Sequence, residues 1–150
     1  MPLAQVNWNY HERQDKQGQG VISSWEDTLS VKAQARLERA LDQLKQLPKP
    51  SWSKPAPASH IGDHTYVIRF KDVTSLPLRV FGHFYDLHEV FVMTFNGYEK
   101  DNVYYPPDYQ ALAQRHRATC DASFLGTTLQ YKHHCSICIK STEPITKRRH

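Results

Sequence analysis

The chain has 150 residues, 39% of them apolar and 23% charged, with a mean hydropathy of −0.65. That is enough for one domain with a real core, and it excludes both a compositionally disordered chain and a long apolar membrane span. The net charge of +4 is unevenly placed: residues 121–150 carry five Lys/Arg against two acidic residues, which leaves +1 for the first 120. A polyanion site in the folded part must therefore be a local cluster rather than a property of the whole surface.

From the N-terminus, residues 1–20 read as a polar arm ending in Gln17-Gly-Gln-Gly20, with no charged start and apolar stretch of a signal peptide. Alternation of Val6, Trp8 and Tyr10 predicts a short strand over residues 5–11. Ser23-Ser-Trp-Glu26 has the spacing of a capping box, so a helical segment is expected to start at Ser23. The stripe of Leu37, Ala40, Leu41 and Leu44 predicts an amphipathic helix over residues 31–47, stopped by Pro48 and Pro50. Four prolines among residues 48–59 mark an extended connector.

Three strands follow, around residues 65–70, 78–84 and 88–95. Pro106-Pro107-Asp108 then opens a helix expected to run to about Thr119. Residues 120–150 lack sustained periodicity and end in Lys147-Arg-Arg-His150, which predicts a basic tail. The organisation expected is an arm (1–20), one α+β domain (21–119) and a tail (120–150). In that domain, two N-terminal helical segments pack on one face of a small antiparallel sheet of three or four strands, and a helix closes the C-terminal side.

Arg69 and Arg79 lie inside strands, where a cation is held more firmly than on a loop. A two-residue turn at Leu87-His88 pairs Phe84 with Phe91, Gly82 with Met93 and Val80 with Phe95, giving one apolar face for the Leu37/Leu41/Leu44 stripe. The same register sets Arg79 opposite Asn96, Phe81 opposite Thr94 and His83 opposite Val92. Arg69, Arg79, His83, Tyr98 and Lys100 then gather on the face that the helix leaves open. The plainer reading of such a face is a solvated polar surface.

In order and spacing, these motifs resemble the RelE/ParE superfamily of toxins, especially its HigB-like, phage-associated branch, over roughly residues 20–118. The segments that carry the resemblance are Leu41-Asp-Gln-Leu-Lys-Gln-Leu47, Tyr66-Val-Ile-Arg-Phe70, Leu78-Arg-Val-Phe81, Phe91 through Lys100, and the helix from Pro107 to Ala118. The resemblance implies a RelE-like fold and the toxin of a type II toxin–antitoxin pair: a metal-independent endoribonuclease that cuts mRNA at the ribosomal A site. Its implied partners are a cognate antitoxin, expected to be a helix-turn-helix protein, together with mRNA and the ribosome, in the cytoplasm and without a cofactor.

Carried over by position, Arg69 and Arg79 would stabilise the phosphate and Lys100 would add a point charge. His83 and Tyr98 would handle protons or stack on a base, roles that come from the register rather than from the family motif. Glu99 stands where the family tends to have its first lysine, and Leu78 stands where an aromatic usually precedes the arginine. A non-catalytic member of the fold that binds a protein partner is the alternative. A gyrase-poisoning toxin on the same scaffold fits the arginine placement less well.

Two further signals bear on partners. Three cysteines (Cys120, Cys135, Cys138) without a signal sequence fit a reducing compartment, and His133-His-Cys-Ser-Ile-Cys138 lacks the fourth ligand of a structural zinc site, so no metal is expected. Tyr104 and Tyr105 are expected to staple the following helix, and Trp25 and Trp52 to pack in the core.

Overall fold

The computed structural model describes residues 7–85 and 89–132. Their elements run β1 (Asn9–Arg13), α1 (Val21–Glu26), α2 (Val31–Lys45), a 3-10 turn (Lys49–Ser51), β2 (Ala58–Gly62), β3 (Thr65–Lys71), β4 (Pro77–Tyr85), β5 (Val90–Lys100), β6 (Val103–Tyr105), α3 (Tyr109–Ala122), α4 (Phe124–Thr127) and β7 (Thr128–Gln130). All seven strands join one sheet in the order β2-β3-β4-β5-β1-β7, with β6 on the outer half of β5. β1 runs parallel to β5, and the other pairs are antiparallel.

This corrects the expected architecture. The sheet has seven strands and is mixed, rather than three or four and antiparallel, and helices cover both of its faces. Beyond the three strands expected, the sheet takes in β1, read as a short strand over residues 5–11, β2, which starts inside the segment read as an extended connector, and β6 and β7. β1 is inserted between β5 and β7 and pairs with residues 81 positions away in β5 and 115–119 positions away in β7. β6 and β7 have three residues each, too few for an alternation to be read. The turn between β5 and β6, Asp101-Asn102, has positive φ at both residues (53° and 64°), as a type I′ turn requires, and is a local signal of that hairpin.

The first face takes the main core. Leu37, Leu41 and Leu44 of α2 are fully buried against Ile68, Val80, Phe91 and Met93, each such side chain contributing about 1.5–3 kcal/mol through the area removed from water. Trp52 is also sealed in, with ring centroids 4.7 Å from Phe91 and 4.8 Å from Phe84. The indole N–H groups of Trp8 and Trp52 both donate to the Leu47 carbonyl, at 2.8 and 3.0 Å, and so satisfy the chain just beyond the end of α2.

Local signals at the helix starts were partly misleading. Ser23 and Glu26 lie within α1 and do not form a capping box. Ser23 instead donates its N–H (2.7 Å) and hydroxyl to the Glu12 carboxylate on β1, while Glu26 accepts from the Tyr131 hydroxyl. The side-chain cap belongs to α2, where Ser30 Oγ accepts the Ala33 N–H at 3.1 Å.

The second face is covered by α3, through Ala113, Cys120 and the half-buried Tyr109 and Leu112. The helix ends at Ala122 rather than near Thr119, and α4 and β7 follow. Tyr131 is 4% exposed and belongs to the main core. The folded unit thus includes residues 120–132, which the sequence had assigned to the tail. Residues 133–150, with Cys135 and Cys138, and the Leu87-His88 turn lie outside the described residues.

Candidate functional site

The β4–β5 register decides which side chains can meet. Near the turn it is as the sequence suggested: Phe84 faces Phe91, His83 faces Val92 and Gly82 faces Met93. Between Phe81 and Gly82 the register shifts by one residue, because Thr94 is an extra residue in β5. Its hydroxyl donates to the Phe81 carbonyl at 3.2 Å, and its own carbonyl accepts Arg13 Nε–H at 2.8 Å. The slip re-aims every side chain beyond it.

Phe81 therefore faces Phe95, and the two rings stack on the second face at 4.5 Å. Val80 faces Asn96, and Arg79 faces Gly97 rather than Asn96. A Cβ at Gly97 would overlap the Tyr105 carbonyl, so the close approach of β6 explains the glycine.

Further along, Glu99 takes the place beside Arg79 that Lys100 was expected to hold. Arg79 donates from Nε (3.1 Å) and Nη2 (2.7 Å) to Glu99 Oε1, and from Nη1 to the Leu78 carbonyl at 2.8 Å. With Arg79 only 8% exposed, its charge is answered within the fold. Tyr98 and Lys100 turn to the opposite face, where Tyr98 stacks on Tyr105 with centroids 4.9 Å apart and Lys100 is exposed.

Arg69 is the direct cross-strand partner of Arg79, so two like charges sit side by side on the second face. Its Nη2 donates to the Ala56 and Ala58 carbonyls, while its Nε is buried without a hydrogen-bond partner. Burial, and then the neighbouring Arg79 charge, lower its pKa from the ordinary arginine value, with Tyr104 and Glu99 acting in the other direction.

His83 lies on the same face of β4 but four residues from Arg79, about 13 Å along the strand, with Phe81 between them. It is 2% exposed, with Nε2 3.4 Å from Asp121 Oδ1 at the end of α3. Burial, only partly opposed by Asp121, pushes its pKa down to about 4. His116, on the same helix and 5.8 Å from the Phe95 ring, is likewise held at about 4 by burial and by Arg13 and Arg115. A histidine sealed beneath a helix has no access to a substrate proton, so His83 cannot act as the base of an exposed phosphate site.

Of the five residues expected to converge, only Arg69 and Arg79 are brought together. His83 is buried elsewhere on that face, and Lys100 and Tyr98 are on the other. Thr94, which no turn residue or glycine marks as a bulge, is the residue responsible for the placing of Tyr98 and Lys100.

No family model, curated protein or solved structure matches this chain. Nothing beyond the sequence motifs themselves supports a likeness to the toxin superfamily.

Among the described residues, no group of three His, Cys, Asp or Glu side chains could hold a metal ion, and no helix is long and apolar enough to cross a membrane. What sequence reasoning missed is partnership. Glu99 was counted as a lost cation when it is the counter-ion of Arg79, and the alternation that pairs them was hidden by the bulge. Asp121 and Arg117, which face His83, lay beyond or at the edge of the segment assigned to the domain.

Proposed function

We propose that this chain is a non-catalytic binding module for a polypeptide partner. The observation that carries the reading is the Arg79–Glu99 ion pair: the strand-borne guanidinium placed to meet a phosphate already has a carboxylate at 2.7 Å. A phosphate arriving there would have to displace Glu99 or bind beside its negative charge, and both weaken an electrostatic site.

The accessible chemistry lies on the other face of the β5–β6 hairpin. Tyr98 and Val103 are 38% and 46% exposed, Tyr105 is half-buried against Tyr98, and Lys100 and Asp101 flank them. Aromatic and aliphatic side chains with one charge of each sign suit a protein interface better than a nucleic-acid groove, which needs a run of cations beside its stacking rings. A helix-turn-helix protein of the kind expected for an antitoxin is one such partner.

One observation favours a second reading, the ribosome-dependent mRNA endoribonuclease. Arg69 and Arg79 share a cross-strand position, and the Arg69 Nε–H has no acceptor. Expression of wild type beside Arg79→Ala separates the two. A binding module leaves growth and mRNA on translating ribosomes unaffected in both cases, and its stoichiometric partner, recovered from the native host, is lost on Tyr98→Ser. Cleavage by wild type that disappears in Arg79→Ala would establish the nuclease instead.

A further inference from the structure

The Arg69 side chain is bonded to main chain at the edge of the sheet, and the register shows which main-chain groups it reaches. Arg69 N–H donates to the Pro57 carbonyl at 2.9 Å, so positions 57 and 69 form a hydrogen-bonded pair. Ala58 and Ile68, the next pair, then exchange no ladder bonds, and the N–H and C=O of Ala58 point away from β3. Because β2 is the outermost strand, these groups would be open to another strand.

They are closed from within. The Ala58 N–H turns back onto the Ala56 carbonyl at 2.8 Å. The Arg69 guanidinium then donates through Nη2 to both the Ala58 carbonyl (3.1 Å) and the Ala56 carbonyl. Nothing in β2 itself would do this work. Its sequence, Ala58-Ser-His-Ile-Gly62, contains no Lys, Arg, Asp or Glu, and its irregularity lies at the far end, between His60 and Gly62. The His60 main-chain groups, two positions on, are directed outward as well.

We propose that Arg69 is a latch on the β2 edge, holding it closed against strand addition by a second copy of this chain. The occupant follows from the edge. Outward groups at Ala58 and His60 lie symmetrically about Ser59, so two β2 strands set antiparallel around a two-fold axis there would exchange their bonds reciprocally. The guanidinium blocks that pairing in two ways: it takes the carbonyl acceptor, and it sets a positive charge on the same edge as that of the second copy, only two residues away along the strand. A role on this edge also explains why a cation lies within a strand with no carboxylate bonded to it.

The test uses the whole chain. Arg69→Met keeps an apolar stem and removes the guanidinium, and light scattering across a concentration series should show it passing from monomer to dimer. His60→Lys added to Arg69→Met should restore the monomer by placing a charge on the exposed edge. Arg36→Ala, which removes another guanidinium bonded to main-chain carbonyls (Lys71 at the end of β3 and Asp72 just after it, rather than on β2), should leave the monomer unchanged. A folded Arg69→Met that stays monomeric throughout overturns the proposal. Should that variant not fold, the wild type decides by NMR of its guanidinium groups. Slow Nη–H exchange and restricted rotation at Arg69 are expected, and a freely rotating, rapidly exchanging Arg69 side chain overturns the latch.

Discussion

The two faces of the sheet bury unequal cores, one large cluster under α1 and α2 and two small ones under α3, and they meet their polar groups differently. Under α1 and α2, polar groups that enter are bonded within the protein: two indoles on one carbonyl, Glu12 on Ser23, and the Tyr131 hydroxyl between Glu26 and Glu38. Under α3, polar groups are scattered among the aromatics. Arg79 has its carboxylate within hydrogen-bond distance, whereas His83 Nε2 and Arg117 Nε lie 3.4 and 3.6 Å from the Asp121 carboxylate, an ion-pair cluster without good hydrogen-bond geometry. A polar side chain on a strand is thus not a site by virtue of its placement. What packs over it decides whether it is answered, neutralised or left to meet a ligand.

That contrast can be broken at several strengths. Trp52→Ala on the first face should cost about 3–5 kcal/mol in a denaturant titration, because Trp52 closes the core between Phe84 and Phe91. A loss below about 1 kcal/mol would mean that this face is less tightly packed than described.

The second face should respond to pH. Burial holds His83 and His116 at about 4 against an ordinary value of 6.5. Between those pH values the unfolded chain binds protons that the folded chain does not, so stability must fall as pH drops from 6.5 towards 4. The fall should be a few kcal/mol, most of it from His83 because the half-buried His116 is better screened, and should shrink in His83→Gln. The groups facing His83 are Asp121, Arg117 and His64, and a flat stability profile in wild type would show that Asp121 offsets the burial in full. The smallest effect belongs to a cap remote from the second face: Ser30→Ala should cost about 1 kcal/mol and leave that pH profile unchanged.

The sequence made the first face legible and the second only in part. Leu37, Leu41 and Leu44 repeat at helical spacing, and the alternation in β3 and β4 is clean, so those elements and the register near the turn could be read directly. The Thr94 bulge could not be read. One extra residue among Val-Met-Thr-Phe breaks no rule of composition, yet it exchanges Lys100 for Glu99 beside Arg79. β1, β6 and β7 escaped assembly because their pairing is long-range or only three residues long, and local pattern carries no information about either. The Asp101-Asn102 turn was legible and went unused. The Ser23/Glu26 spacing shows the reverse fault, a local signal overridden when tertiary packing bonds Ser23 to Glu12 and Glu26 to Tyr131.

The central claim is that the arginine best placed for phosphate is held by a carboxylate of its own fold. A double-mutant cycle between Arg79 and Glu99 tests it most directly. Removing either partner alone should destabilise the chain by about 1–3 kcal/mol, and Arg79→Met with Glu99→Met should recover most of that loss, giving a coupling of about 1 kcal/mol or more. Additive losses with no coupling would contradict the account and return Arg79 to the list of cations free to bind an anion.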